Sequence, residues 1–313
     1  MSFLQEPEPQ RGVALDVLPG IRRVVARNPS VMTYQGTNTY LIDGEDGLTV
    51  IDPGPKKDAQ HVAEILAAAG SVPVKRIFLT HTHTDHWGAT AELQAATGAP
   101  VFAYKVSARE GFTPDVKLED GDATAGFTAL HTPGHAADHL CFEYRLKDGR
   151  KILFSGDHVM SWSSSIVSPP DGDMLDYYRS LGLLLARDDE LYLSGHGPLL
   201  PEPRKLVAQL LSHRQHREGT ILAELRAQEW GVAELAIRLY NKTDPFLKIA
   251  AQRNVLAHLL KLKAEGIAQE LAPGTVLPED APAMVGPPGD VQGESGGLME
   301  QMRQDALRRF GLL

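Results

Sequence analysis

Cysteine is almost absent from this sequence of 313 residues, which contains only Cys141. One cysteine excludes an internal disulfide framework and a cysteine-rich zinc module. No apolar run approaches 18 residues, so we expect no membrane-spanning segment. The first residues, MSFLQEPEPQRG, contain neither a basic region nor an apolar stretch after it. We therefore expect no secretory signal and a cytoplasmic location.

Positive charge is also in short supply, because 31 Lys and Arg residues face 40 Asp and Glu residues and leave a net charge of −9. That balance argues against a protein coated with basic charge for duplex DNA, although it is compatible with a local basic patch. The length predicts about two domains of about 150 residues each. Histidine is abundant instead: the chain has 12, several of them in tight clusters.

Short strand-like segments alternate with helical ones over the first two-thirds of the chain, which predicts an α/β layered domain over residues 1–203. Thr37–Asp43 and Gly47–Asp52 flank a Gly-Glu-Asp turn and are typical of a β-hairpin. Asp58–Ala69 has apolar residues at helical spacing. Further strands are predicted over Val74–Thr80, Phe127–Thr132, His139–Leu146, Lys151–Ser155 and Glu190–Ser194.

The composition becomes helical after Pro198–Pro203, which predicts a second domain over residues 204–277. A linker helix, two shorter helices and a two-stranded wing over Gly266–Leu277 are the order of a winged-helix module. The predicted helices are Lys205–Arg226, Val232–Tyr240 and Phe246–Glu265. Residues 278–313 begin with a stretch rich in Pro, Gly and acidic residues, and we expect a flexible tail with a terminal helix over Leu298–Phe310.

Four candidate metal ligands occupy six consecutive residues where a predicted strand ends: His81, His83, Asp85 and His86. Neutral imidazole and carboxylate are ligands for zinc and related divalent ions. A lone His-x-His occurs by chance in polar surface loops. Four such groups after an apolar strand favour a metal site over a solvated loop.

Three further candidate ligands follow other predicted strands, each beside a glycine. They are His135 in Thr-Pro-Gly-His, Asp157 in Ser-Gly-Asp and His196 in Ser-Gly-His-Gly. Layered α/β proteins place their sites in loops at one edge of the sheet, and glycine lets the backbone approach an ion closely. These three residues are therefore predicted to join the histidine cluster.

Together these motifs resemble the metallo-β-lactamase superfamily, and the resemblance covers residues from about 20 to 200. It implies an αββα sandwich and a hydrolase with two Zn²⁺ ions, with other divalent metals left open. It assigns His81, His83 and His135 to one ion, Asp85, His86 and His196 to the second, and Asp157 to both. A metal-bridging hydroxide is then the nucleophile, and Asp85 also contacts it as a catalytic residue. Asp52, in Ile-Asp-Pro-Gly, is expected to orient these ligands.

The sequence departs from true β-lactamases at the third ligand position, where many of them have cysteine. Asp157 occupies that position here, which counts against antibiotic hydrolysis. Only 38 residues separate Asp157 from His196, too few for the extra domain of β-CASP RNA-processing enzymes.

One branch of the superfamily resembles the chain over nearly residues 20–275, namely the endoribonucleases typified by β-lactamase-like protein 2. The similarity lies in Asn28–Ser30, Gln35–Leu41, the SHRQHRE sequence, Asp244-Pro245 and the Leu-rich Val255–Leu262. Members of that branch cleave single-stranded RNA with two zinc ions and carry a C-terminal winged helix. The resemblance implies a phosphodiester of single-stranded RNA as one substrate.

The fold alone does not fix the substrate, so a small-molecule thioester or lactone, as in enzymes of the glyoxalase II type, is the alternative. An electron carrier is disfavoured because a flavodoxin-like domain is missing, and a binding module is disfavoured because the ligand set is complete. A homodimer is left open. A solvated helix face is the favoured interpretation of the basic residues that could contact phosphates, which are Arg204, Lys205, Arg214, Arg217, Lys242, Lys248, Arg253, Lys261 and Lys263.

Overall fold

The computed structural model describes residues 1, 3–240, 245–274 and 294–313, which form two compact units. Unit 1 comprises Met1–Ser165 and Asp176–Leu211, and unit 2 comprises Ile166–Leu175 and Ser212–Leu313. The boundary between residues 203 and 204 stays a prediction. The compact units divide eight residues further on, within one helix.

Unit 1 contains a mixed seven-stranded sheet whose strands pair in chain order. Its strands are β1 (Leu15–Leu18), β2 (Ile21–Val25), β3 (Asn38–Gly44), β4 (Gly47–Ile51), β5 (Val74–Phe78), β6 (Val101–Tyr104) and β7 (Val116–Leu118). The first four strands pair antiparallel, and β4 to β7 pair parallel. The predicted hairpin is confirmed as β3 and β4, with Tyr40 opposite Ile51.

Three helices follow strands of this sheet: α1 (Ala59–Ala69), α2 (Thr84–Trp87) and α3 (Thr90–Thr97). Helix α1 begins where the Asp58 carboxylate accepts a hydrogen bond from the His61 N–H at 2.9 Å. It ends at Gly70, whose φ of 61° favours glycine. The apolar faces of α1 and α3 pack on one side of the sheet through Val62, Ile65 and Leu93.

A six-stranded second sheet completes the layers of unit 1, with β11 and β12 parallel and its other pairs antiparallel. Its strands are β8 (Ala123–Thr124), β9 (Phe127–His131), β10 (Leu140–Arg145), β11 (Lys151–Gly156), β12 (Leu191–Ser194) and β13 (Leu200–Pro201), with α4 (Met174–Leu185) between β11 and β12. Phe78 of the first sheet and Phe142 of the second lie in one buried core, their ring centroids 5.0 Å apart. The two sheets therefore pack face to face, and the predicted layered α/β fold is confirmed.

Unit 2 is built from helices around a small three-stranded sheet of order β14-β16-β15. Its elements are the second half of α5 (Pro203–Ala227), β14 (Trp230–Gly231), α6 (Val232–Leu239), α7 (Pro245–Ala264), β15 (Ala268–Leu271), α8 (Glu294–Leu307) and β16 (Arg309–Leu312). Its core contains Ile221, Leu235, Leu256 and Phe310. Glu234 accepts a hydrogen bond from the Gly231 N–H at 2.9 Å where α6 begins.

The wing of unit 2 differs from the prediction. Strand β15 pairs with β16, so the partner strand comes from the end of the chain and not from Gly266–Leu277. The terminal helix predicted over Leu298–Phe310 is present as α8, whereas Arg309–Leu312 forms the central strand of this sheet, which the sequence did not predict. Residues 278–293 of the predicted flexible tail lie outside the described residues.

No helix among the residues that the structure describes combines the length and the apolar character needed to cross a membrane.

Candidate metal centre

The predicted ligands all lie in loops or at helix starts just after strands of unit 1. His81 and His83 follow β5, and Asp157 follows β11 directly. His135 lies between β9 and β10, and His196 lies two residues after β12. Because β11 and β12 are parallel, their carboxyl ends bring Asp157 and His196 to the same edge.

The structure brings the seven predicted ligands together in three overlapping groups, within each of which the ligand atoms lie no more than 4.8 Å apart. These groups are His81 with His83 and His135, His81 with His86 and Asp157, and Asp85 with His86 and His196. Two of them are the two sets that the sequence resemblance implies.

Asp157 lies between the two sets of imidazoles. Its Oδ1 is 3.4 Å from Nε2 of His86, and its Oδ2 is 3.3 Å from Nε2 of His196. The same Oδ2 is 3.7 Å from Nε2 of His135, which belongs to the other set. One carboxylate thus lies within reach of both candidate ion positions.

The donor atoms fit divalent metal ions because several are buried without another partner. Nε2 of His81, His86 and His196 and Oδ1 of Asp157 have no solvent exposure and form no hydrogen bond. A buried polar atom with no partner is unfavourable, and bound metal ions would satisfy these four. Imidazole nitrogen with carboxylate oxygen is also a donor set that zinc and iron accept.

The electrostatics of the site point the same way. Burial opposes the charged form of His196, but Asp157 and Asp85 outweigh it and raise its pKa to about 9. Burial likewise opposes the cation of His86, and the carboxylates of Asp157, Asp85 and Asp52 nevertheless hold its pKa well above the usual value. These buried carboxylates therefore attract positive charge, which bound cations would supply in place of protons.

Asp52 orients His86, as the sequence predicted. Its Oδ2 accepts a hydrogen bond from Nδ1 of His86 at 2.9 Å, which leaves Nε2 facing the centre. The same carboxylate accepts bonds from the Thr80 N–H at 2.8 Å and the Thr80 hydroxyl at 2.7 Å. Asp52 thereby fixes the segment that leads into His81.

Asp138 is an orienting residue that the sequence reasoning missed. It is buried, and its carboxylate accepts bonds from the Thr82 hydroxyl at 2.5 Å and the Ala108 N–H at 3.0 Å. Thr82 lies between the ligands His81 and His83, so Asp138 fixes the backbone that carries both. The sequence could have indicated Asp138, because it lies three residues after the predicted ligand His135.

His139 supports the shared carboxylate through the backbone of Asp157. Its Nε2 accepts a hydrogen bond from the Asp157 N–H at 3.2 Å, and its Nδ1 lies 2.9 Å from the Thr132 hydroxyl. Burial, together with the nearby His158 and other imidazoles, holds its pKa well below the usual value. A neutral ring is what this accepting nitrogen requires.

Gly195 allows the closest approach in the centre. A Cβ atom at this position would lie 2.4 Å from Oδ1 of Asp157 and 2.6 Å from the His86 ring. Any larger residue would displace these two ligands, which explains the glycine before His196.

Two loops that contact ligand-bearing segments expose apolar side chains. Val31 and Met32 are exposed on the loop that leads to Gly36, whose carbonyl lies 3.3 Å from Nδ1 of His196. Val106, 63% exposed, precedes Ser107, whose hydroxyl donates to Thr82 at 3.3 Å. Exposed apolar groups therefore lie on two loops that contact ligand-bearing segments.

Several of the predicted phosphate-contacting residues of unit 2, among those that the structure describes, are held in internal contacts. Arg253 is only 4% exposed and pairs with Asp305 at 2.7 Å. Lys261 is 7% exposed and lies between Glu218 at 2.8 Å and Glu265 at 2.9 Å. The remaining candidates are placed as follows: Lys263 pairs with Glu270, Arg214 is buried, Arg217 stacks over Tyr240, Arg204 and Lys205 of unit 1 are exposed, Lys248 is partly exposed, and Lys242 lies outside the described residues.

Comparison with protein families gives two matches along the chain. Residues 32–196 match the model of the metallo-beta-lactamase superfamily, and residues 232–273 match that of the beta-lactamase associated winged helix domain. These two matches confirm the sequence resemblance and the fold class.

Curated relatives and solved structures extend these matches. A beta-lactamase-like protein 2 homolog from Drosophila melanogaster is 29% identical over 78% of this chain and 88% of its own. An atrochrysone carboxyl ACP thioesterase from Passalora fulva is 32% identical over 66% of this chain and 62% of its own. A beta-lactamase domain protein from Burkholderia ambifaria shares the fold, with a TM-score of 0.76 at 21% identity over 97% of this chain and 95% of its own.

Proposed function

Because the chain belongs to the metallo-beta-lactamase superfamily of hydrolases, we propose that it is a dinuclear zinc hydrolase acting on an ester-type bond. One ion is held by His81, His83 and His135 and the other by Asp85, His86 and His196, with Asp157 shared. The observation that carries the proposal is the convergence of these seven side chains with buried nitrogen and oxygen atoms left unsatisfied. When bound, the ions acidify the attacking water and polarise the substrate oxygen.

The protein's own residues orient the reacting groups. Oδ2 of Asp85 lies 3.2 Å from Nε2 of His196 and 3.5 Å from Nε2 of His86. We propose that this carboxylate accepts a hydrogen bond from the attacking water and aligns it with the substrate. Asp52 and His139 keep His86 and the Asp157 backbone in place while the reaction proceeds.

Of the two substrate classes, a small thioester or lactone has the stronger support. Exposed Val31, Met32 and Val106 adjoin the ligand-bearing segments and suit an apolar acyl group better than a polyanion. Arg253 and Lys261 are buried in internal ion pairs and could not bind phosphates. A relative named as a thioesterase aligns over two-thirds of this chain.

Single-stranded RNA remains the second candidate, because relatives named beta-lactamase-like protein 2 homolog align over 78% and 80% of this chain. The winged-helix match lies in the same region that the RNA-cleaving branch suggested from the sequence. A cytoplasmic location and a homodimer remain predictions from the sequence.

A substrate panel tests the proposal on one zinc-loaded sample. Single-stranded RNA, bis-p-nitrophenyl phosphate, a series of acyl thioesters and lactones are compared by kcat/KM. We expect thioester or lactone hydrolysis that rises with the length of the acyl chain and disappears in Asp157→Ala. Cleavage of RNA alone would favour the second candidate, and a sample that binds no zinc after reconstitution would refute the dinuclear proposal.

A further inference from the structure

Residues Phe3–Arg11, here called the strap, lie outside the region that matches the superfamily model. They are hydrogen-bonded to loops of unit 1. The Leu4 N–H donates to the Ser161 carbonyl at 2.9 Å. The Glu6 N–H donates to the Tyr34 hydroxyl at 3.1 Å, and the side chain of Gln35 donates to the Glu6 carbonyl at 2.9 Å. The strap is thus part of the folded unit.

Glu6 of the strap supplies the counter-charge of a buried arginine. Its two carboxylate oxygens accept bonds from Nη1 of Arg23 at 3.1 Å and Nη2 at 2.8 Å. The Arg23 side chain is 4% exposed. A paired, two-point contact fixes the guanidinium in one orientation, whereas removal of its carboxylate would leave a buried charge without a partner.

The same guanidinium reaches the turn that carries a predicted metal ligand. Nη1 of Arg23 donates to the Gly197 carbonyl at 3.0 Å, and Nδ2 of Asn38 donates to the same oxygen at 2.9 Å. Gly197 directly follows His196, and the Asn38 N–H donates to the Gly195 carbonyl at 2.7 Å. The residues on either side of His196 are therefore held by hydrogen bonds, one of which depends on the strap.

The wall beside this turn also depends on the strap. Tyr34, whose hydroxyl contacts Glu6, stacks on Trp162 with ring centroids 5.1 Å apart. The Trp162 ring in turn packs against Gly197, where a Cβ atom would lie 2.7 Å from it. Glu6 therefore contacts two groups that adjoin the His196 turn: Arg23 and Tyr34.

We propose that Glu6 is a positioning residue that acts through Arg23 on the turn carrying His196. The strap thereby sets the metal affinity of the Asp85, His86 and His196 position and leaves the His81, His83 and His135 position little affected. This inference rests on the proposed dinuclear function. Its mechanical part, the link from Glu6 to the His196 turn, does not need a bound metal.

Zinc titration of Glu6→Gln against a chelating indicator tests the metal part. Gln preserves the length of the side chain but removes the charge that Arg23 requires. We expect one of the two binding steps to lose about 10-fold to 100-fold in affinity, as for other groups that orient metal ligands, with the other step unchanged. The control is Glu64→Gln, which breaks a partly exposed pair with Arg27 rather than a contact of the Gly195–Gly197 turn, and it should leave both steps unchanged.

Hydrogen exchange of the metal-free protein tests the mechanical part. The Asn38 amide, bonded to Gly195, should exchange faster in Glu6→Gln than in the wild type and in Glu64→Gln. If the wild type binds no zinc, the proposed function fails. The exchange rate of the Asn38 amide still tests whether Glu6 holds the His196 turn. Unchanged exchange together with unchanged zinc affinity would overturn the inference. Should Glu6→Gln not fold, Glu6→Asp, which keeps the charge but shortens the reach, is measured in the same way.

Discussion

Asp157 is the residue on which the two candidate ion positions depend together. Its oxygens lie within 3.7 Å of nitrogen atoms of His135, His86 and His196, which belong to both sets. We expect Asp157→Ala to bind fewer zinc ions per chain at both positions, because neither position keeps its full set of ligands. Elemental analysis after zinc reconstitution should give about two ions per chain in the wild type. Two ions retained by the variant would contradict the shared role.

Asp85 differs from Asp157 because its proposed role includes the reacting water. Asp85→Asn keeps a ligand oxygen and the size of the side chain. It loses the negative charge of the carboxylate that is proposed to accept a hydrogen bond from the attacking water. Turnover should therefore fall about 100-fold to 10,000-fold, typical for loss of an acid-base group, while KM changes little. Metal content has to be measured on the same sample. Unchanged kcat with both ions bound would exclude this role.

Local patterns predicted most elements of unit 1 because each strand and helix carries its own signal. The hairpin of β3 and β4 is an example, since its turn and alternating residues lie within sixteen positions. The wing of unit 2 was mispredicted for the opposite reason. Leu271 of β15 pairs with Arg309 of β16, 38 residues later and beyond a stretch rich in Pro and Gly. No local pattern indicates which distant strand will pair with an edge.

The central position of β16 makes its phenylalanine important for unit 2. Phe310 is fully buried and lies in one cluster with Val232, Leu256 and Ala268. Phe310→Ala should cost about 3–5 kcal/mol of unfolding free energy, because it removes a large core side chain and leaves a cavity. Urea unfolding followed by circular dichroism measures the loss. The control, Leu313→Ala, changes an exposed neighbour and should cost little. Equal stability of the two variants would mean that β16 is dispensable.

The strand β15 also carries a pH-dependent contact. A hydrogen bond from Arg308, aided by Lys263, lowers the pKa of Glu270 to about 2. The folded state thus binds this proton less readily than the unfolded chain, so the contact stabilises at neutral pH and is lost as pH falls from about 4.5 to 2. Glu270→Gln should lose less stability over that range than the wild type. Exposed Glu229→Gln, measured alongside, should follow the wild-type curve.

Across the whole molecule, the ligand set was predictable while its supporting contacts were not. The seven predicted ligands are recognisable in the sequence because they are His and Asp residues that follow predicted strands. Arg23 and Gly197, by contrast, are 174 residues apart, and no motif links them. His61 of α1 and His258 of α7 are fully buried, and their partners Thr39 and Glu218 come from other segments. Burial of a polar residue depends on partners that only the fold brings close.

Three basic residues of unit 2 also have partners that the sequence did not indicate, and these partners bear on the choice between RNA and a small ester as substrate. Arg253, Lys261 and Lys263, as free cations, would give RNA cleavage a salt dependence that falls when they are replaced together by Ala. They are bound instead to Asp305, Glu218 and Glu270.

The triple variant, Arg253→Ala with Lys261→Ala and Lys263→Ala, should therefore lower stability and leave the salt dependence of any RNA cleavage unchanged. Loss of Arg253 alone leaves the sheltered Asp305 without the cation that Nη1 provides, and breaking such a pair typically costs about 3–5 kcal/mol. Urea unfolding and RNA cleavage between low and high salt are measured on the same preparation. A stable variant with a flattened salt dependence would instead show that these cations leave their carboxylates to bind RNA, and would restore the nuclease as the favoured function.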